Sequence, residues 1–258
     1  MDKYNNVIDS RSIYSIECSL SKILNLPLNE IKNRLNINIE KYSSEELIRV
    51  IYDRFNDEMY NVNLDGLILY HMTRLSDEMI NNIKLKGLKP FENIIDDWIN
   101  ELFVIDDNIA NIKNDVYKLN NQKSHRDDYI YSELYIDGQY ICFIKDGPDF
   151  ILNVFNNKEQ FKKYILRYTD LEDYKRRTKP YLIKIYLKNS ELENLSKYEK
   201  YFSSEMSKLQ YYICLYLNIL CYYYRNLKQQ SGYSIKFKKC KVLDILDIST
   251  YDVNNFES

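Results

Sequence analysis

A histidine and a threonine two residues apart, His71 and Thr73, are the side chains whose types and spacing suit ligand binding best in this sequence. They stand at the end of the apolar run Leu67–Met72, which is typical of a buried strand. Successive side chains of a strand point to opposite faces, so residues two apart share a face. An imidazole and a hydroxyl placed in this way can hydrogen-bond one ligand that lies across the strand end. His71 could equally satisfy a hydrogen bond of the core.

A helix is predicted directly after this strand, and it would hold the strand end in position. Ser76 is a suitable N-cap, and Gly87 stands where a helix C-terminus is commonly followed by glycine. Pro90 marks the stop. The apolar residues that recur at helical spacing between these signals are Met79, Ile80 and Ile83.

The stretch from Leu67 to Pro90 resembles the opening strand and helix of the ADP-ribosyltransferase fold, which NAD-binding toxins share. In that family a histidine-x-serine/threonine on the first core strand grips the ribose and the nicotinamide amide of NAD. The same stretch resembles the RNA 2′-phosphotransferases, which have that fold and need several basic residues around the site. The residues that carry the resemblance are Leu69-Tyr70-His71-Met72-Thr73-Arg74 and the helix exit Gly87-Leu88.

The resemblance implies roles for individual residues in holding NAD. His71 would hydrogen-bond the ribose hydroxyl on the adenosine side, and Thr73 would help to hold the nicotinamide end. Arg74 could approach the diphosphate. Tyr70, directly before the histidine, is also counted among the residues that contact the cofactor.

Two further elements of that family are a ring that stacks on nicotinamide and a glutamate. Tyr140 and Tyr131 are candidates for the ring. The glutamate stabilises the positive charge that develops on the ribose as nicotinamide leaves. Glu205 follows Ser203-Ser204 at the start of a predicted helix, and this setting resembles a Ser-x-Glu element, although helix capping alone would also explain it. Glu133, on a predicted strand, is the second candidate, and an exposed strand-face charge is its plain alternative.

The pattern of elements predicts an α+β fold. A helical N-terminal lobe is expected over residues 1–62, and a mixed, mostly antiparallel ADP-ribosyltransferase-like body over residues 63–258. Glycine and proline number only 5 and 4, which argues against a sandwich with many tight turns. In the lobe, Ser43 and Glu46 have the spacing of a capping box.

The second half is predicted to be richer in strands, with Asp137-Gly138 as a hairpin turn between residues 129–136 and 139–145. The later predicted elements are a strand at Phe150–Phe155, a helix at Lys158–Tyr168, a strand at Tyr181–Leu187, a long buried helix at Ser204–Gln229, and a closing antiparallel pair at Tyr233–Phe237 and Val242–Ile248.

Charge and cysteine usage restrict the class of protein. The formal net charge of −2 gives no overall basic excess for nucleic acid, so such binding would need a local patch. Basic runs at Lys175–Arg177 and Lys236–Lys241 could face phosphate or could simply be solvated. Scattered single cysteines are typical of reduced, buried thiols in a cytoplasmic protein and make a zinc site unexpected. The cysteines are Cys18, Cys142, Cys214, Cys221 and Cys240.

The resemblance implies NAD-dependent transfer of ADP-ribose to a macromolecule, protein or nucleic acid, by a toxin, defence or counter-defence protein, and no metal is expected. The apolar segment Tyr211–Tyr224 is shorter than the roughly 20 residues needed to span a bilayer, so we expect a core helix and no membrane partner. The alternative is a catalytically inactive relative that binds a nucleotide or a partner.

Overall fold

The structure is a computed structural model that describes residues 6–104, 109–121, 130–133, 149–192, 206–227, 234–237 and 240–251. Both helices and a sheet with antiparallel strand pairs occur along these residues, which agrees with the predicted α+β class, while an ADP-ribosyltransferase-like body stays a prediction. The sheet that carries His71 and Thr73 is therefore part of a fold in which, among the described residues, more residues lie in helices than in strands.

The elements have the following bounds. The helices are α1 Ile13–Leu24, α2 Leu28–Arg34, α3 Ser44–Met59, α4 Asp77–Lys86, α5 Phe91–Leu102, α6 Ile109–Asn121, α7 Asp149–Asn156, α8 Lys158–Phe161, α9 Leu171–Arg177, α10 Asn189–Leu192 and α11 Lys208–Tyr224, with 3-10 helices at Ile39–Lys41 and Val242–Asp244. The strands are β1 Val7–Asp9, β2 Gly66–Leu75, β3 Ile130–Glu133, β4 Lys179–Lys188, β5 Ser234–Phe237 and β6 Ile245–Thr250.

The strands are joined in the order β5-β3-β2-β4-β6, and β1 also pairs with β2. The β1–β2 pair is parallel and sets Asp9 beside Ile68. The β2–β3 pair is antiparallel and sets Tyr70 opposite Glu133. The β4–β6 pair is antiparallel as well. The strand that was predicted first, β2, thus lies inside the sheet rather than at its edge.

Two compact units divide the chain. The first consists of residues 1–70, 133–136 and 186–235, and the second of residues 71–132, 137–185 and 236–258. Neither unit is a continuous stretch of sequence. The boundary predicted between residues 62 and 63 falls just before β2 and stays a prediction.

In the first unit, α11 is the central helix. Its residues Tyr211–Cys221 are buried, and both α3 and α1 pack against it. A capping box formed by Ser207 and Gln210 begins the helix. The predicted buried helix is confirmed, with bounds shorter than those expected. No helix in the described ranges is long and apolar enough to cross a membrane.

The predicted capping box in the N-terminal region is also confirmed. The Ser43 hydroxyl accepts a hydrogen bond from the amide of Glu46, and the Glu46 carboxylate accepts one from the amide of Ser43. These two bonds satisfy backbone donors that the first turn of α3 cannot bond within the helix.

Three sequence-based element assignments are wrong. Phe150–Phe155 lies within helix α7 rather than in a strand, and Phe150, Ile151 and Val154 are buried at helical spacing. The helix expected over Lys158–Tyr168 is only the one-turn α8. β5 and β6 stand at opposite ends of the strand order, so they are not a pair. The turn Asp137-Gly138 lies outside the described residues.

The cysteines follow the expectation only in part. Cys214, Cys221 and Cys240 are buried free thiols, whereas Cys18 is exposed, so the prediction that it is buried is wrong. Burial raises the pKa of Cys214 and raises the pKa of Cys221 to about 11. Cys142 lies outside the described residues.

Candidate functional site

The candidate site is built on the C-terminal half of β2. Along this strand every side chain except that of His71 is buried, and His71 is half-buried. Strand alternation places His71 and Thr73 on one face and Tyr70 and Arg74 on the other. The His-x-Thr pair therefore has the shared face that the sequence predicted, and its imidazole is partly accessible.

Tyr70 is bonded within the first unit. Its hydroxyl donates a 3.0 Å hydrogen bond to Oδ1 of Asp9 on β1. The parallel pairing of Asp9 with Ile68 explains this contact, since Ile68 and Tyr70 share a face of β2. A contact between Tyr70 and NAD stays a prediction, and its hydroxyl already has a partner in the protein.

Arg74 is buried, and its guanidinium caps the C-terminus of helix α9. Its Nη1 donates to the carbonyl oxygen of Lys175 at 2.8 Å and to that of Thr178 at 3.0 Å. Carbonyl groups in the last turn of a helix have no intrahelical donor, and a cation there is also favoured by the helix dipole. In return, the Tyr174 hydroxyl donates a 2.7 Å hydrogen bond to the Arg74 carbonyl. The sequence gives no signal for this contact, because about a hundred residues separate its partners.

The junction between β2 and α4 is held by a buried carboxylate. Ser76 caps α4 as predicted, because its Oγ accepts a hydrogen bond from the amide of Met79. The same Oγ donates to Oε2 of Glu101 at 2.7 Å, and the Tyr168 hydroxyl donates to Oε1 at 2.6 Å. Burial, and then the bond to Glu101, raise the pKa of Tyr168. Glu101 is only 6% exposed, and sequence reasoning did not single it out.

Helix α4 ends where the sequence predicted. Gly87 has a φ of 77°, in the region that disfavours side chains, and its amide donates to the carbonyl of Ile83. Helix α4, which follows the strand, is therefore capped by Ser76 at its N-terminus and by Gly87 at its C-terminus.

Of the two candidate glutamates, the structure describes only the position of Glu133, in β3. The register pairs Glu133 with Tyr70, and directly paired positions belong to the same face of a sheet. The position of Glu133 is thus on the face of β2 that His71 and Thr73 do not use. Glu205 lies outside the described residues. Among the residues proposed to stack on nicotinamide, Tyr140 lies outside them too.

An open surface cleft of about 520 Å³ occurs elsewhere in the second unit. It is lined by Lys158, Glu159, Phe161, Lys162, Tyr164, Leu166, Tyr168 and Thr169. Neither His71 nor Thr73 lines this cleft. The cleft is therefore not the nucleotide site that the sequence predicted.

The basic run in α9 is neutralised by its own helix. Arg176 and Arg177 both pair with Asp173, at 2.7 Å and 3.6 Å, and Lys175 pairs with Glu172 at 3.0 Å. These contacts favour the solvated alternative for this run. Part of the second run, residues 238–239, lies outside the described residues.

Comparison with protein-family models, with curated proteins and with solved structures finds no match to this chain. The resemblance of β2 and α4 to ADP-ribosyltransferases therefore rests on the residues themselves.

Proposed function

We propose that this chain binds NAD across the His71–Thr73 face of β2 and transfers its ADP-ribose to a macromolecular acceptor. One observation carries the proposal: a partly accessible histidine and a buried threonine share one face of a buried strand. The Ser76–Glu101–Tyr168 hydrogen bonds hold the exit of that strand. Two polar groups on a fixed strand can orient a ligand with little loss of side-chain entropy on binding.

This strand offers suitable partners for the ribose and the carboxamide of NAD but not for its diphosphate. His71 and Thr73 offer an imidazole and a hydroxyl on one face, which suits ribose hydroxyls and a carboxamide. Arg74 donates to backbone carbonyls on the other face, so the diphosphate would need another cation or backbone amides. Of the two glutamates, we favour Glu205 as the group that stabilises the developing charge on ribose, because Glu133 is paired with Tyr70 on the other face.

A second function, nucleotide binding without catalysis, is favoured by the same register. Tyr70, Arg74 and the position of Glu133 all belong to the face opposite His71 and Thr73. Of the two candidate glutamates, Glu133 thus belongs to the face away from the proposed NAD-binding pair, which favours binding without turnover. An assay of turnover separates the two functions.

Binding is tested by thermal unfolding with and without millimolar NAD. A ligand that binds only the native state raises the melting temperature by mass action. We expect NAD to raise it for the wild type but not for His71→Ala or Thr73→Val. Tyr164→Phe, in the cleft that neither His71 nor Thr73 lines, is the matched control and should keep the NAD-dependent increase. Absence of any increase for the wild type at millimolar NAD would overturn the proposal.

Catalysis is tested by release of nicotinamide from NAD and by transfer of label to cell extract. Removing a carboxylate that acts only in the transition state lowers kcat and leaves NAD affinity nearly unchanged. We expect Glu205→Gln to lose orders of magnitude in rate and Glu133→Gln to keep it. A wild type that binds NAD but neither releases nicotinamide nor transfers label would establish the binding function instead.

A further inference from the structure

One surface of the second unit presents two leucines among lysines. We call it the Lys/Leu surface. It is defined by Lys84, Leu85, Lys86, Lys89, Lys241 and Leu243. Helix α4 packs against the 3-10 helix Val242–Asp244, and the amide of Cys240 donates a 3.1 Å hydrogen bond to the carbonyl of Leu88. The two segments that form the surface are therefore neighbours.

The leucines of this surface are almost fully in water. Leu85 is 77% exposed and Leu243 is 89% exposed. A single exposed leucine is ordinary in a folded protein. Because α4 packs against the 3-10 helix, two exposed leucines stand on neighbouring segments, where one partner that accepts aliphatic side chains can reach both.

Lysines surround the two leucines, and two of the four lysines lie beside carboxylates. Lys86 pairs with Asp97 at 3.1 Å, and Lys84 is close enough to Asp77 to interact with its charge. Lys89 and Lys241 form no ion pair with any residue that the structure describes. Residues 84–89 and 240–243 include no aspartate or glutamate, and Asp244, which follows Leu243, is buried. The surface therefore complements an anionic partner that also accepts aliphatic side chains.

We propose that the Lys/Leu surface docks on an anionic lipid bilayer, with the lysines at the headgroups and the two leucines at the acyl boundary. Interfacial binding uses this combination of basic and aliphatic side chains and needs no helix that spans the bilayer. A single-stranded nucleic acid would stack its bases on aromatic rings rather than on leucines, and a duplex would use the lysines alone and leave the leucines in water. The sequence-based expectation of no membrane partner considered spanning segments only, and peripheral docking revises it.

The test is co-sedimentation of the full-length chain with vesicles of phosphatidylcholine alone and of phosphatidylcholine with 30 mol% phosphatidylserine. We expect binding only to the anionic vesicles, and we expect it to weaken as salt is raised, since salt screens the lysines. Each lysine near such a surface contributes about fivefold in affinity, so Lys89→Gln with Lys241→Gln should weaken binding roughly 25-fold.

The leucines are tested separately. Leu85→Ser with Leu243→Ser should weaken binding at least tenfold at both low and high salt, because the loss is apolar. Ile165→Ser with Lys162→Gln is the matched control, since both residues are exposed in the same unit outside this surface, and it should bind as the wild type does. Far-UV circular dichroism checks that each variant is folded.

Three outcomes would overturn the proposal. The first is equal sedimentation with neutral and anionic vesicles. The second is unchanged vesicle binding by the leucine variant. The third is absence of vesicle binding while a single-stranded oligonucleotide or poly-glutamate binds and releases on Lys89→Gln with Lys241→Gln, which would assign the surface to nucleic acid or to an acidic protein instead.

Discussion

The hydroxyl of Tyr168 lies 2.6 Å from Oε1 of Glu101, and this hydrogen bond is buried. The other oxygen of the same carboxylate holds Ser76, the residue that ends the turn from β2 into α4. A buried carboxylate is tolerated when each oxygen has a donor. Tyr168 therefore stabilises the end of the strand that carries His71 and Thr73 through its hydrogen bond to Glu101.

Removing the Tyr168 hydroxyl should destabilise the protein. Tyr168→Phe leaves one oxygen of Glu101 without its donor, and we expect the free energy of unfolding to fall by about 1–3 kcal/mol. Tyr164→Phe is the control, because its hydroxyl bonds the partly exposed Asp115 and water can replace it. For that variant we expect a loss below about 1 kcal/mol. Urea unfolding measures both, and equal losses would contradict the role given to Glu101.

How much of this arrangement the sequence predicted depends on the range of the interaction. Ser76 and Gly87 were predicted correctly, because a helix cap is a local pattern of a few residues. The partner of Ser76, Glu101, was missed because 25 residues separate the two. Phe150–Phe155 was wrongly predicted to be a strand, since a short apolar run fits a buried strand and a buried helix equally well.

Arg74 is expected to matter for stability because of its place at the end of α9. Arg74→Met keeps much of the side-chain volume but removes the donor to the carbonyls of Lys175 and Thr178. We expect a loss of about 1–3 kcal/mol in the free energy of unfolding, measured in urea. Arg176→Met, whose side chain is largely exposed, should cost less than about 1 kcal/mol.

If Arg74 also contacts NAD, Arg74→Met would abolish the NAD-dependent rise in melting temperature. Because Arg74 donates to backbone carbonyls at the end of α9, we expect Arg74→Met to be less stable than the wild type but to keep the NAD-dependent rise in melting temperature. Loss of the rise with unchanged stability would show that Arg74 serves the ligand and not α9.

Gly66 is predicted to tolerate no side chain. A Cβ at this position would lie 2.3 Å from the carbonyl oxygen of Leu187 and 2.8 Å from the ring of Tyr186. Gly66→Ala must therefore push β2 and the Leu187 backbone apart, and such overpacking costs about 1–3 kcal/mol or more. Ser249→Ala, on an exposed position of β6, should stay within about 0.5 kcal/mol of the wild type. A urea midpoint of Gly66→Ala equal to that of the wild type would contradict the close approach.

Tyr181 should make stability depend on alkaline pH. Its hydroxyl donates to Oδ1 of Asp77 at 2.8 Å, and burial, followed by this bond, raises its pKa to about 12. The raised pKa means that the folded state favours the neutral phenol. Its contribution to the free energy of unfolding is therefore complete below the unfolded pKa of about 10 and is lost as the pH rises from about 10 to about 12.

The measurement is urea unfolding of the wild type and Tyr181→Phe at pH 8, 10 and 12. The difference in unfolding free energy between the two should shrink as the pH rises, while the other tyrosines titrate alike in both proteins. A difference that stays constant over this range would show that the raised pKa of Tyr181 contributes nothing to stability.

The packing of α1 and α3 on α11 has a consequence for how the protein is made. The ribosome completes α3 about 150 residues before it reaches α11, against which α3 packs. At the usual rate of about 5–20 residues per second, roughly 8–30 seconds pass between the synthesis of α3 and the synthesis of α11, the helix that covers the apolar faces of α1 and α3. Throughout that interval these faces are exposed on the nascent chain, so a chaperone that shields emerging apolar segments should raise the yield of native protein.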